Sequence, residues 1–166
     1  MIKSRLTLTL LAASVILAAA WPFRYQLYLH LPSEPAERLQ VRDGLYWHQG
    51  KLFTGRMTET DMLKAGGLMT VTPVIDGLKE GRAVTFDERE AVGTAHWEAG
   101  KLEGPFERRS RKTGAVLEEA NYKKGVLEGE RRLFDEKGAL LRVETYARGE
   151  LEGSVKTYSP DGVLIT

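Results

Sequence analysis

The chain has 166 residues, 42% of them hydrophobic, with 24 basic and 23 acidic side chains that leave a net charge of +1. That near-balance gives no overall attraction to nucleic acid or acidic substrates. The absence of cysteine excludes a disulfide framework, a thiolate metal site, a cysteine nucleophile and a lipid-modified cysteine.

Met1 to Arg5 is a short basic head carrying Lys3 and Arg5, and Leu6 to Phe23 follows without a charged residue. Eighteen residues as a helix span roughly 27 Å, about the hydrocarbon thickness of a bilayer. Two readings compete for residues 1–30. One is a signal peptide cleaved after the small residues Ala18-Ala19-Ala20. The other is an uncleaved membrane anchor with Trp21, Phe23, Tyr25 and Tyr28 as an interfacial belt. The stretch stays largely apolar and aromatic as far as Leu31, which favours the anchor. Under either reading Lys3 and Arg5 stay inside and the rest is exported, to the periplasmic side of a bacterial envelope. Residues 31–42 are expected as a proline-bearing linker with a short lead-in strand, Leu39 to Arg42.

Residues 43–166 repeat. Tyr122-Lys-Lys-Gly125-Val-Leu127-Glu-Gly129 returns as Tyr146-Ala-Arg-Gly149-Glu-Leu151-Glu-Gly153, and upstream as Trp97-Glu-Ala-Gly100-Lys-Leu102-Glu-Gly104. A weaker copy runs from Ile75 through Gly77 to Gly81, with Val74 where the aromatic is lost, and a stretched one from Trp47 through Gly50 and Leu52 to Gly55. The closing glycines fall at 55, 81, 104, 129 and 153, in steps of 26, 23, 25 and 24. Such a period marks a repeat protein. Between the motifs lie strand-like runs joined by glycine turns such as Asp135-Glu-Lys-Gly138 and Ser159-Pro-Asp-Gly162. Two features set the first interval apart. A longer loop is expected between Met57 and Gly67, and Pro73 predicts that the strand at 68–74 is an edge or is interrupted.

The predicted fold is all-β: an antiparallel meander of hairpin repeats with a period of about 24 residues, elongated, single-layer or partly rolled, behind an N-terminal hydrophobic helix. Neither face of the strands is cleanly apolar, so a two-sheet sandwich is not expected. The repeated aromatics and leucines are expected to staple the sheet, at roughly 1.5–3 kcal/mol per buried side chain.

Tyr/Trp-x-x-G-x-L-x-G with a following aromatic resembles the bacterial variant of the MORN repeat, as in YwqK-like antitoxin components. The likeness covers residues 43–166. It implies a module that binds and neutralises a cognate toxin protein, or a more general interaction module.

Chemistry is hard to find. His30 lies in the juxtamembrane stretch, His96 takes the place held by Asn121 and Thr145 in sister repeats, and His48 takes a turn position shared with Glu98, Lys123 and Ala147. No pair of histidines has metal-ligand spacing, and no nucleophile elbow, phosphate loop or dinucleotide fingerprint occurs. Glu103, Glu128 and Glu152 recur before the closing glycines, which argues for a solvated repeat position and not for acid–base work. No catalytic residue, cofactor or metal is predicted.

Two surfaces qualify as partner sites. Arg108, Arg109, Arg131 and Arg132 lie on neighbouring repeats as a candidate anionic-ligand patch, although the nearby Glu107, Glu118, Glu119 and Glu130 favour cross-strand pairing. The terminal strand Val163-Leu164-Ile165 either closes the last hairpin or offers an edge for β-augmentation. The expected role is a non-catalytic, exported protein-binding module, antitoxin or immunity-like. The alternative is an envelope scaffold or lipid-surface protein without a toxin partner.

Overall fold

The computed structural model describes residues 31–61 and 67–165. The expected N-terminal helix and its aromatic belt, and part of the loop expected after Met57, lie outside these residues. The described chain is all-β, and its one helical element is a single 3-10 turn at Ala36–Arg38.

Glycine decides where the chain reverses. Five long strands each end in a two-residue turn and a two-residue return strand. β3 (Leu45–His48) turns through Gln49-Gly50 into β4 (Lys51–Leu52), and β6 (Leu68–Ile75) through Asp76-Gly77 into β7 (Leu78–Lys79). β9 (Glu90–Glu98) turns through Ala99-Gly100 into β10 (Lys101–Leu102), and β12 (Val116–Lys123) through Lys124-Gly125 into β13 (Val126–Leu127). β15 (Leu140–Ala147) turns through Arg148-Gly149 into β16 (Glu150–Leu151). In all five turns both central residues have positive φ, for example 47° at Ala99 and 77° at Gly100. That turn matches the right-handed twist of the strands it joins. The chain then enters the next long strand through the closing glycine, which is again at positive φ at Gly81 (87°), Gly104 (83°) and Gly129 (83°).

These strands are β5 (Gly55–Asp61), β8 (Gly81–Asp87), β11 (Gly104–Arg109) and β14 (Gly129–Phe134). With β1 (Ser33–Pro35) they build one sheet in the order β1-β5-β6-β8-β9-β11-β12-β14-β15-β16, while β2 (Gln40–Arg42), β3 and β4 form a separate small sheet. Apart from β1 the pairing is antiparallel between neighbours along the chain, with β17 (Lys156–Thr157) completing the described ladder on β15. Each repeat therefore touches chiefly the repeats on either side.

Three expectations need correction. Ser33–Pro35 is not a free linker: it runs parallel to β5, opposite Arg56, Met57 and Thr58. It thereby covers backbone groups that an outer strand would otherwise leave open. Pro73 neither interrupts its strand nor puts it at an edge. β6 pairs with β5 in unbroken register from Gly55↔Val74 to Asp61↔Leu68. On its other side the β8 ladder ends at Val71↔Val84, so Pro73 lies beyond that ladder, and its carbonyl accepts the Glu80 N–H at 2.9 Å. The aromatics and leucines do not carry the fold by burial: Trp97, Tyr122, Tyr146, Leu102 and Leu127 are half-buried, and Leu52 and Leu151 are exposed. The buried core lies instead at the N-terminal end, where Leu39, Phe53, Met57 and Val74 pack together against Ala36 and Tyr46. Met57 and Val74 are completely buried, each worth roughly 1.5–3 kcal/mol.

Polar staples between repeats do the rest. The turn glycine of each repeat donates its N–H to the repeat before it: Gly77 to Phe53, Gly100 to Lys79, Gly125 to Leu102 and Gly149 to Leu127, at 2.8–2.9 Å. The recurring glutamate then caps the same turn. Glu80 accepts the Ala99 N–H at 2.9 Å, Glu103 that of Lys124 at 2.7 Å, and Glu128 that of Arg148 at 2.8 Å. These carboxylates are therefore structural acceptors and not merely solvated positions. In the stretched first copy the Thr54 hydroxyl takes their place, accepting the Asp76 N–H at 2.9 Å.

The opposite edge is stapled through its loops. Arg111 forks onto Asp87 at 2.6 and 2.9 Å, and this hydrogen bonding holds the Asp87 carboxyl below its usual range. Ser110 and Thr113 donate to Glu136 at 2.5 and 2.9 Å, which lowers the Glu136 carboxyl likewise.

Candidate binding surface

Cross-strand register sets out one face of the sheet residue by residue. In the C-terminal half, Arg108 stands opposite Glu118, which stands opposite Leu133, which in turn faces Arg142. Two residues along each strand, and so on the same face, come Phe106 opposite Ala120 and Arg131 opposite Glu144. Arg108 donates to Glu118 at 3.1 Å, Arg131 to Glu118 at 2.7 Å and to Glu144 at 2.9 Å, and Arg142 pairs with Glu144 at 2.8 Å. The Tyr146 hydroxyl adds a bond to Glu144 at 3.0 Å.

This ladder of alternating charge fills its half of the face. Burial alone would raise the Glu144 carboxyl, but the bonds from Arg131 and Tyr146 and the neighbouring arginine charges outweigh it and hold the carboxyl low. Burial alone would lower Arg131, but its two glutamates raise it instead. Burial, reinforced by Glu118, pushes the Tyr122 phenol up.

The repeat before it has the same backbone and different side chains. Where Arg108 and Glu118 face each other, Thr85 faces Gly93; where Phe106 faces Ala120, Ala83 faces Ala95. Thr70 and Thr72 on β6 continue the small-residue floor, with the Thr70 and Thr85 hydroxyls 2.9 Å apart. Three of these four positions, Ala83, Thr85 and Gly93, hold residues smaller than their counterparts, and a cavity of about 440 Å³ lies between the strands' side chains. Trp97 and Phe106 line it, Lys79 lies 4.7 Å over the Trp97 ring and 3.2 Å from Glu59, and Arg108, Arg109, Arg111 and Glu107 stand on its wall. Each of its cations has a carboxylate partner: Lys79 has Glu59, Arg108 has Glu118, Arg109 has Glu107 and Arg111 has Asp87.

The residues singled out in the sequence fall differently. Arg108 and Arg131 share the face just described, both held by Glu118. Arg132 alternates to the opposite face and pairs with Glu130, while Arg109 is tied along its own strand to Glu107 at 2.7 Å and to the Gly114 carbonyl at 3.1 Å. The four arginines thus do not form one patch. Val163, Leu164 and Ile165 are 64, 56 and 64% exposed. They fold back on the last hairpin: Ser159 N–H donates to the Val163 carbonyl at 2.9 Å, Leu164 bridges to Tyr158, and Ile165 N–H donates to Thr157 at 2.7 Å.

Sequence reasoning missed the cavity. Its signal was present: four residues before the repeat aromatic stand Gly93, Glu118 and Arg142, and four after the closing glycine stand Thr85, Arg108 and Leu133. Only one repeat is small at both positions. Among the described residues no group of His, Asp and Glu has the arrangement to hold a metal ion. Comparison with protein-family models, with curated proteins and with solved structures finds no match.

Proposed function

We propose that this chain is an exported, non-catalytic β-repeat module that binds a protein partner across the face carrying the cavity. It acts as an antitoxin or immunity protein does, by occlusion and without chemistry of its own. The meander in this reading is an elongated, partly rolled single layer held at the inner membrane by its N-terminal segment. The observation that carries the proposal is the break in the repeat pattern. Three repeats share one backbone, and one of them exchanges a filled face for an open, aromatic-lined cavity. The arginine–glutamate ladder beside it is internally satisfied, so the cavity is where the face has unused contact to offer. Resemblance of the repeat to the MORN variant of antitoxin components points the same way.

The test is affinity capture of the tagged full chain from native membranes, with mass spectrometry of the eluate. One stoichiometric protein partner is the expected result. Many envelope proteins in small amounts, or lipid alone, would replace this reading with an envelope scaffold.

A further inference from the structure

We propose that the C-terminal end of the sheet, apart from the face that carries the cavity, docks a β-hairpin of a partner protein whose two-residue turn is Xaa-Gly. The repeats themselves show what such a seat takes. At each of four inner seams the turn glycine donates its N–H to a carbonyl of the repeat before it: Gly77 to Phe53, Gly100 to Lys79, Gly125 to Leu102 and Gly149 to Leu127. At three of them the residue ahead of that glycine donates to a carboxylate: Ala99 to Glu80, Lys124 to Glu103 and Arg148 to Glu128. Both donors come from a turn whose two central residues have positive φ, the hairpin turn that suits twisted strands.

The last repeat builds the same pair of acceptors. Leu151 stands opposite Tyr146, as Leu127 stands opposite Tyr122 and Leu102 opposite Trp97. The Glu152 N–H donates to the Thr145 carbonyl at 2.7 Å, the same bond that ties Glu128 to Asn121 and Glu103 to His96 at 2.9 Å. The Leu151 carbonyl and the Glu152 carboxylate are therefore set where their counterparts accept a turn. Among the described residues no N–H reaches either of them. These two residues, with Ala147, Arg148 and Glu150, line a cavity of about 490 Å³. Leu102 and Leu127 are half-buried at the inner seams, whereas Leu151 is 51% exposed. The edge beside this seat is open as well. Thr157 and Tyr158 meet Ile165 and Leu164, but Gly153, Ser154 and Lys156 are exposed and have no outer strand among the described residues.

The seam defines its occupant. The incoming turn presents two consecutive N–H donors, one to the Leu151 carbonyl and one, charge-assisted, to the Glu152 carboxylate. Its second residue is glycine, because the turn needs positive φ there and the seam is tight. A Cβ at Gly100 or Gly149 would come within 3.1 Å of Leu78 or Val126. The strand leading into that turn adds to the sheet along Lys156 to Gly153 and takes Leu151 out of water.

The probe is a cyclic hairpin peptide with the Glu144–Gly153 sequence, whose Arg148-Gly149 turn is the one seated on Leu127 and Glu128 within the protein. A D-Pro-Gly turn closes its open end, since a free hairpin is marginally stable. Fluorescence anisotropy follows its binding to the full chain in detergent. Saturable binding is expected, at least tenfold weaker when the two turn amides of the peptide are N-methylated. It should be at least fivefold weaker on the Glu152→Ala protein, whose thermal melt should coincide with that of the wild type. No binding, equal binding of the N-methylated peptide, or equal binding by Glu152→Ala would overturn the proposal. Sedimentation velocity of the full chain alone covers the other occupant. Concentration-dependent association that Glu152→Ala abolishes would give the seat to a second copy of this chain and likewise overturn it. Because the probe is a defined peptide, the outcome stands apart from whether native membranes yield a partner.

Discussion

Replacing Arg131 with Met tests whether the charge ladder holds the C-terminal repeats together. Methionine keeps most of the aliphatic stem and deletes the guanidinium, so the change reports on charge and hydrogen bonding more than on packing. Arg131 is the link between two carboxylates whose side chains are only 13 and 7% exposed, those of Glu118 and Glu144. Removing one partner of a fully buried pair costs about 3–5 kcal/mol. Here Arg108 remains on Glu118, and Arg142 and Tyr146 remain on Glu144, so the loss should be smaller, about 2 kcal/mol at pH 7. For a domain of this size that lowers Tm by about 6–10 °C.

The pH dependence supplies a second, independent signature. In the wild type the Glu144 carboxyl is held below its ordinary value of 4.5. Its contribution is therefore fully present above that value and is lost as pH falls through the lowered one. Without Arg131 the carboxyl rises toward or above the ordinary range, so the variant loses less on acidification. The gap between the two proteins should narrow from pH 7 to pH 4, as followed by far-UV circular dichroism of the full chain in detergent. A difference below about 0.5 kcal/mol at pH 7, the size of a screened surface pair, or a gap that does not change with pH, would refute the ladder as a stabilising unit.

Two further substitutions probe the turn edge. Glu103→Ala removes the acceptor for the Lys124 N–H and should cost about 0.5–1.5 kcal/mol. Glu152→Ala, at the same repeat position but with no N–H donating to its carboxylate among the described residues, should be near neutral in the same melts; equal losses would reject the capping role. Ala99 sits at φ 47°, a conformation that costs a β-carbon residue about 1–2 kcal/mol and that asparagine tolerates. Ala99→Asn should therefore raise stability by about 0.5–1 kcal/mol, and a lower Tm would show that the turn is held by something else.

Period, turn positions and antiparallel order were legible in the sequence because a glycine recurs at each reversal, where the chain takes positive φ. Gly100, Gly125 and Gly149 each sit where the motif places the reversal. What holds neighbouring repeats together was less visible. A glutamate that caps the next turn and a glutamate that merely faces water look identical along the chain; the difference lies in a backbone N–H some twenty residues away, as between Glu103 and Lys124. Phe53 was hidden for a related reason. It lies in the stretched copy of the motif between Leu52 and Gly55, where the pattern assigns it no place, yet it is one of the buried residues of the core. The cavity required reading the repeats against one another, since Thr85, Gly93 and Ala83 are unremarkable strand residues until Arg108, Glu118 and Phe106 of the next repeat are set beside them.

Stapling at the two edges leaves the middle of each strand free of duties to the backbone. Because Glu80, Glu103 and Glu128 fasten turn to turn at one margin, and Arg111 and Glu136 fasten loop to loop at the other, the residues between can change without altering register. Thr85–Gly93, Arg108–Glu118 and Leu133–Arg142 are three different fillings of one frame. Such a frame can diversify its surface one cell at a time, and can lengthen or shorten by whole units, because the turn glycine of each repeat makes the same backbone hydrogen bond to the repeat before it.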